Sequence, residues 1–335
     1  MTALNIRKYQ NSALIPFYGH TSCTHKNPLA IVKYCNAPPS LSLVNGTMNL
    51  TIPCNASDIT EYWCPINKNS AMTFQKESFV AENNGWCADG ENLFAAYIIP
   101  DQPELSLSSE HAYKYLIELT QKLGYTNIYR IWNYIGRINA PNINGLERYR
   151  DFCTGRANAF EALNYAPSTL PAATGIGFHD GGVAIFLIAR KTPEAINIEN
   201  SLQIPAYQYP QCYGPKSPSF ARATMIDTQD GQRLYISGTA SIRQHASLTD
   251  SLEQQISITI ENIQNIIKTL RADSKYPKEY LCDSLKIYVR HEQDAALISA
   301  AFQDAFNIAA KNAPVLIADI CRSELFLEVE GIFRS

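Results

Sequence analysis

The sequence predicts an α+β protein assembled from ββαβαββ units, and three observations predict it. The last third carries a hairpin signal, Asp230-Gly231 between two strand-like runs, followed by two helical stripes separated by a strand. The chain then closes on apolar strands that reach almost to its final residue. The middle third repeats the same order of helices and strands more loosely, so two units of about a hundred residues are expected.

Taken in order, residues 1–95 form a degenerate pseudo-repeat, blurred by Pro-, Asn- and Ser-rich stretches. In the central unit, 96–200, residues 109–123 read as a helix carrying Ala112, Tyr115, Leu116 and Leu119. A strand over 128–135, a helix over 146–163 and a strand over 183–189 follow. In the C-terminal unit, 201–335, a hairpin spans 225–238. Next, Leu252, Ile256, Ile260, Ile263, Ile267 and Leu270 recur at spacings of three and four behind an Asp250/Glu253 capping pattern. A strand over 285–290 leads to a second helix with Ala295, Ile298, Phe302, Ala305 and Ala309, stopped before Pro314. Residues 315–320 and 325–333 close the unit as strands, with both helices on one face of a single sheet.

Composition narrows the function classes. The 335 residues are 46% hydrophobic, enough to fill real cores. A net charge of −3 without any Lys/Arg run argues against nucleic acid and anionic membrane surfaces as partners. The first twenty residues lack the apolar core of a signal peptide, and no apolar run approaches a membrane span, so a cytoplasmic protein is expected. Five of nine cysteines (Cys23, Cys35, Cys54, Cys64, Cys87) fall in the first ninety residues. None of these pairs has C-x-x-C spacing and the total is odd, which favours free thiols over disulfides or zinc. The sequons at Asn45, Asn49 and Asn55 read as chance in an Asn/Thr/Ser-rich loop. The six histidines show no metal spacing, no Gly-x-Ser-x-Gly element is present, and Gly175-Ile-Gly177 lacks the context of a phosphate cradle. A tight turn before a strand accounts for those glycines, and neither metal nor organic cofactor is expected.

Three places carry candidate chemistry. In the closing strand, a two-residue period puts Phe326, Glu328, Glu330 and Ile332 on one face and Leu325, Leu327, Val329 and Phe333 on the other. Burial and a like charge both disfavour ionisation, so one glutamate stays protonated near neutral pH and can act as a general acid. The alternative is an edge strand whose glutamates face water. In the 146–163 helix, Tyr149 and Arg156 are seven apart with Phe152 on the same stripe. A guanidinium in an apolar position either binds an acidic ligand or forms an internal salt bridge to Asp151 or Glu161. Residues 207–222, rich in Tyr and Pro, form an ordered loop or an inter-domain linker, and Tyr209, Tyr213, Lys216 and Arg222 are its candidate ligand contacts.

These residues lie in recognisable motifs. LYISGTASI (234–242) and LEVEGIF (327–333) resemble the YjgF/RidA superfamily of small trimeric deaminases. Together with RIWNYIGRIN (130–139), YRDFCTGRANAF (149–160), YGPKSPSFARA (213–223) and CRSELFLEVEG (321–331), residues 105–335 resemble the chorismatases. The resemblance implies YjgF/RidA-like units in pseudo-threefold array within a monomer, a cleft between the central and C-terminal units, and chorismate as substrate. It further implies that Glu328 protonates the enolpyruvyl ether and that Arg156 and Arg222 meet the substrate's two carboxylates, with Tyr149, Tyr209 and Tyr213 as hydrogen-bonding partners. Family subtypes stop at a dihydroxycyclohexadienoate or aromatise to 3-hydroxybenzoate, some also giving 4-hydroxybenzoate. Cys321, seven residues before Glu328, and the small residues of Gly238-Thr-Ala240 resemble the aromatising type, which points to 3-hydroxybenzoate and pyruvate; a buried structural thiol is the other reading of Cys321. A non-catalytic or deaminase-like carboxylate binder is the alternative of a different class.

Overall fold

The computed structural model describes residues 12–19, 28–54, 58–65, 76–192 and 195–335; Cys23 and Asn55 lie outside them. Three sheets hold all but two of the described strands. The first comprises β1 (Leu14–Tyr18), β2 (Ala30–Cys35), β3 (Ser40–Val44), β4 (Thr47–Pro53) and β5 (Ile59–Pro65), in the order β1-β5-β2-β4-β3. The second comprises β6 (Glu77–Val80), β7 (Asn84–Ala88), β8 (Asn92–Ile99), β9 (Asn127–Gly136), β10 (Ala172–Phe178) and β11 (Val183–Arg190), in the order β10-β9-β11-β8-β7-β6. The third contains β12 (Ile196–Ile198), β13 (Ala223–Thr228), β14 (Gly231–Thr239), β17 (Leu281–Val289), β18 (Val315–Ile317) and β19 (Leu327–Arg334), in the order β12-β13-β14-β19-β17-β18. Strands β15 (Ile242–Arg243) and β16 (Ala246–Ser247) make a separate ribbon.

Helices α1 (Ser106–Lys122) and α2 (Arg148–Ala162) punctuate the second sheet, α3 (Leu252–Ala272) and α4 (Ala295–Phe306) the third. Both runs have the expected ββαβαββ order: β7-β8-α1-β9-α2-β10-β11, and β13-β14-α3-β17-α4-β18-β19 with the ribbon inserted before α3. The two sheets also match in pairing, each ending in one parallel pair, β9 with β10 and β17 with β18. The first sheet keeps this scheme in shortened form: β2 and β4 are parallel, and β5 is antiparallel to both β1 and β2. Ala95 and Ala96, on either side of the first expected boundary, are consecutive residues of β8, and β12, just before the second, already belongs to the third sheet.

Side-chain periodicity explains the layering. On β19, Leu327, Val329 and Phe333 face the helices and pack with Ile263, Ile267, Ile298 and Phe302, whereas Ile332 joins a central core shared by all three sheets. On the second sheet, Ile131 and Leu187 pack against Tyr113, Leu116, Phe152 and Phe160 of α1 and α2. The opposite face sends Trp132 and Phe186 inward to meet Trp63 of β5, with ring centroids 4.9 Å apart for the two tryptophans and 4.6 Å for the stacked Trp132–Phe186 pair. Leu325 and Phe326 depart from the expected alternation, because β19 starts only at Leu327; Leu325 joins the central core and Phe326 packs on the helical side.

Several local expectations are corrected. The ATGIGF segment is strand β10, not a tight turn, and its glycines admit close neighbours: a Cβ on Gly177 would stand 2.5 Å from Ile138 Cγ2. Asn45-Gly46, read as part of a loop, forms the two-residue turn of the β3–β4 hairpin, with φ of 51° and 72°. Ser251, rather than Asp250, caps α3, accepting a hydrogen bond from Gln254 N at 3.2 Å. Helix α4 stops at Phe306, short of Ala309, because Asn307 adopts the left-handed conformation at its end. The eight described cysteines are free thiols. Among the described residues no helix is long and apolar enough to cross a membrane, and no cluster of His, Cys, Asp or Glu is arranged to hold a metal.

The contact of α1 with α2 depends on Gly155, where a Cβ would lie 1.9 Å from Ser106 O. Backbone on both sides of that contact leaves no flexible side chain to yield. Gly155→Ala is therefore expected to destabilise the fold by about 1–3 kcal/mol, read as a lower midpoint in chemical denaturation.

Candidate active site

A cleft opens where β10 of the second sheet approaches the third sheet. Two isolated bridges tie its walls together, Ala172 with Ala221 and Ile176 with Ile320, and Gly177 N donates to Asp319 O at 2.7 Å. The cleft encloses about 950 Å³ of empty space, part of it open to solvent. Tyr149, Arg156, Tyr209, Tyr213, Arg222, Cys321 and Glu328 all line it. Residues as far apart in sequence as Tyr149 and Glu328 thus meet in one cavity. Lys216 does not line it; its ammonium pairs with Glu161 at 2.7 Å on the surface.

At the floor stands Glu328, 4% exposed on β19. Burial, then the negative charge of Glu330, push its carboxyl up to about 8, against the weaker opposing pull of a Cys321 hydrogen bond and the cations Arg130 and Arg222. Cys321 Sγ lies 3.6 Å from Glu328 Oε2. The thiol is itself held well above the ordinary cysteine range by burial and by Glu328, so the pair shares protons rather than charge. Gly238 makes room for the acid, since a Cβ there would fall 1.9 Å from Glu328 Oε1. The β14–β19 register shifts between Ile236 and Thr239, which brings the backbone of Gly238 over the carboxyl.

Glu330, two residues on, lives in the opposite environment. Burial raises its pKa, but Lys286, Arg130 and hydrogen bonds from Thr174 and Trp132 outweigh it and hold the carboxyl below the ordinary range. Arg130 Nη2 and Trp132 Nε1 both donate to it at 2.7 Å, Thr174 Oγ1 at 2.5 Å, and Lys286 Nζ stands at 3.1 Å. The same threonine accepts a hydrogen bond from Gly238 N at 3.0 Å, linking the charged centre to the glycine above Glu328. One carboxyl of the pair is therefore an ionised anchor and the other a neutral acid.

The opposite walls are cationic and aromatic. Arg156 on α2 is 2% exposed, donates to Cys153 Sγ at 3.4 Å and faces the Phe152 ring at 5.4 Å, while its Nε is buried without a hydrogen-bond partner. The salt bridges considered for it are not made: Asp151 accepts from Leu105 N at 2.6 Å, and Glu161 takes Lys216. Arg222, 4% exposed, donates to Ile204 O and to Tyr209 OH, both at 2.8 Å, and its Nε is likewise unpartnered. Among the described residues neither guanidinium has a carboxylate within 4.0 Å. The 207–222 segment is an ordered wall, not a linker: the Tyr209 and Tyr213 rings pack tilted at 47° with centroids 5.6 Å apart.

Sequence reasoning passed over Arg322, Thr174 and Gln203, which also line the cleft. Arg322 lies 4.0 Å above the Tyr213 ring and donates to His245 O and Ser247 Oγ at 2.9 Å, clamping the aromatic loop. Its position beside Cys321 was a usable signal. Thr174 and Gln203 sit in segments without any pattern that marks them.

A buried protonated carboxyl and two guanidiniums without a carboxylate partner among the described residues make the cleft suited to an anionic small molecule that can accept a proton. Residues 71–189 match the family described as Chorismatase FkbO/Hyg5-like, N-terminal. The chain is 34% identical over 322 residues to a 3-hydroxybenzoate synthase of Streptomyces hygroscopicus, covering 92% of each chain. It is 36% identical over 264 residues to a chorismatase of Streptomyces rapamycinicus, covering 77% of this chain and 79% of that one. A crystal structure of a chorismatase superposes with a TM-score of 0.87 at 31% identity, over 96% of this chain and 99% of the other. The protein belongs to the chorismatase family, and it is an enzyme of that family.

Gly238 tests the geometry of the acid directly. Gly238→Ala is expected to displace Glu328 and cut kcat at least tenfold with the fold retained, checked by turnover alongside circular dichroism.

Proposed function

We propose that the cleft binds chorismate and converts it to 3-hydroxybenzoate and pyruvate. The observation that carries this reading is the pairing of a neutral carboxyl at Glu328 with two buried arginines that lack carboxylate partners. Arg156 and Arg222 take the two carboxylates of the substrate, and Tyr149, Tyr209 and Tyr213 position the ring. Glu328 delivers its proton to the methylene carbon of the enolpyruvyl ether, leaving an oxocarbenium ion. Water adds to that ion, the hemiketal collapses, and pyruvate departs with the ether oxygen left on the ring. Loss of one water from the resulting dihydrodiol gives the aromatic product, so that the net reaction consumes no water. Cys321, within reach of Glu328, and the narrow Gly238–Ala240 wall favour the aromatising course over release of the dihydrodiol.

The test is release of pyruvate from chorismate, followed by a coupled dehydrogenase, with the aromatic product separated by chromatography. Glu328→Gln is expected to lower kcat by about 10²–10⁴ while chorismate still binds. Because the acid must be protonated and its pKa lies near 8, kcat/KM is expected to hold below that pH and to fall as pH rises through it. Binding without pyruvate release by the unmodified protein assigns the cleft to carboxylate binding alone.

We also infer that one chain supplies the three-sheet arrangement by itself, with units near 1–95, 96–200 and 201–335 serving as an internal trimer. The common central core, to which all three sheets contribute, supports this. Light scattering after size exclusion is expected to give the 37.4 kDa of a single chain; a mass of three chains rejects it.

A further inference from the structure

Among the described residues the first sheet contributes no side chain to the cleft wall, yet it reaches the acid through charge. Glu61 of β5 is fully buried, and its Oε1 ion-pairs Lys286 Nζ at 2.7 Å. Lys286 in turn stands 3.1 Å from Glu330 Oε1, so one ammonium serves two carboxylates from different sheets. Tyr34 OH and Trp63 Nε1 donate to Glu61 Oε2 at 3.1 and 3.2 Å, fixing the carboxylate in place.

We propose that Glu61 is a positioning residue for the reaction, holding Lys286 partly away from Glu330 so that Glu330 keeps enough negative charge to hold the Glu328 proton. The proposal rests on the reading of Glu328 as the acid. The surrounding groups define the balance. Glu61 is faced by Lys286 and Glu330 from the third sheet, by Tyr34 and Tyr18 from its own sheet, and by Tyr134 from β9 through Lys286. Glu330 is faced by Lys286, Arg130, Tyr134 and Tyr288. Glu328 is faced by Glu330, Cys321, Arg130, Arg222 and Tyr149. The tyrosines are neutral, so Arg130 and Lys286 balance Glu61 and Glu330, and the one further cation facing Glu328, Arg222, is outweighed by burial and by Glu330. Neutralising Glu61 frees positive charge, and that charge favours ionisation of the acid.

The experiment uses the full chain with Glu61→Gln, which keeps the shape and the acceptor for Tyr34 and Trp63. In a folded variant the alkaline limb of kcat/KM moves to lower pH, so the ratio of kcat/KM at pH 8 to that at pH 6 falls about twofold or more relative to the unmodified protein, with KM at pH 6 unchanged. Carbon-13 NMR titration of the Glu328 carboxyl without substrate, assigned with Glu328→Gln, gives a shift of the same sign. That measurement needs no chorismate, so failure of the proposed reaction and failure of the coupling are told apart. Glu61→Asp withdraws the charge by one methylene and gives a smaller shift in the same direction. An unmoved limb and titration in either folded variant overturns the proposal. If neither variant folds, Glu61 acts in folding alone and the proposal also falls.

Discussion

The ion pairing of Glu330 is the constraint on which the site depends. A deeply buried carboxylate is retained only where cations and donors surround it, and Glu330 has Arg130, Lys286, Trp132 and Thr174. These partners come from the second and third sheets, and Glu61 from the first sheet completes the balance. Assembly of the three sheets is thus coupled to charge neutrality at the centre, and removing one partner leaves an uncompensated charge where none is tolerated. Glu328 inherits its chemistry from this arrangement. It is buried and lies beside a fixed negative charge whose counter-ions are already engaged, and both hold its proton, burial the more strongly.

The same logic explains why the cleft wall is rich in arginine. Arg156 and Arg222 are as deeply buried as Glu330 yet are held by a thiol, a carbonyl, a phenol and aromatic rings in place of carboxylates. A guanidinium keeps its charge in such surroundings, because its pKa is too high for burial to neutralise it. The centre of the molecule is electrically closed, whereas the cleft is electrically open and complementary to an anion.

Much of this was legible before the fold. Two-residue periodicity in the closing strand identified both glutamates and the face they share, and helical spacing marked Arg156 as a cation in an apolar stripe. The ββαβαββ order of the C-terminal unit followed from hydrophobic spacing, as did the helix–strand–helix–strand part of the central one, because amphipathic helices and hairpins are local features. What the chain concealed was the pairing across long separations. Arg130, Trp132 and Tyr134 alternate along β9 just as Lys286 and Tyr288 alternate along β17, a repeated signature of strands with a polar inward face. That pattern was open to reading but names no partner, and which strand faces which is decided by tertiary packing. Strand β10 escaped notice because its two glycines resemble turn residues, although they are there to admit Tyr149 and Ile138.

The two backbone bridges across the cleft bear on how a ligand gets in. Ala172–Ala221 and Ile176–Ile320 fasten one side of the cavity to the other at both ends of β10. Hinged separation of the halves would break these contacts together with the shared core beneath them. The segment around Tyr209 and Tyr213, with its short 3₁₀ turns, forms the remaining aromatic wall and is tied down by Arg222, Arg322, His245 and Ser217. The rigid body of the protein holds Glu328 in place, and aromatic side chains line the cavity around it.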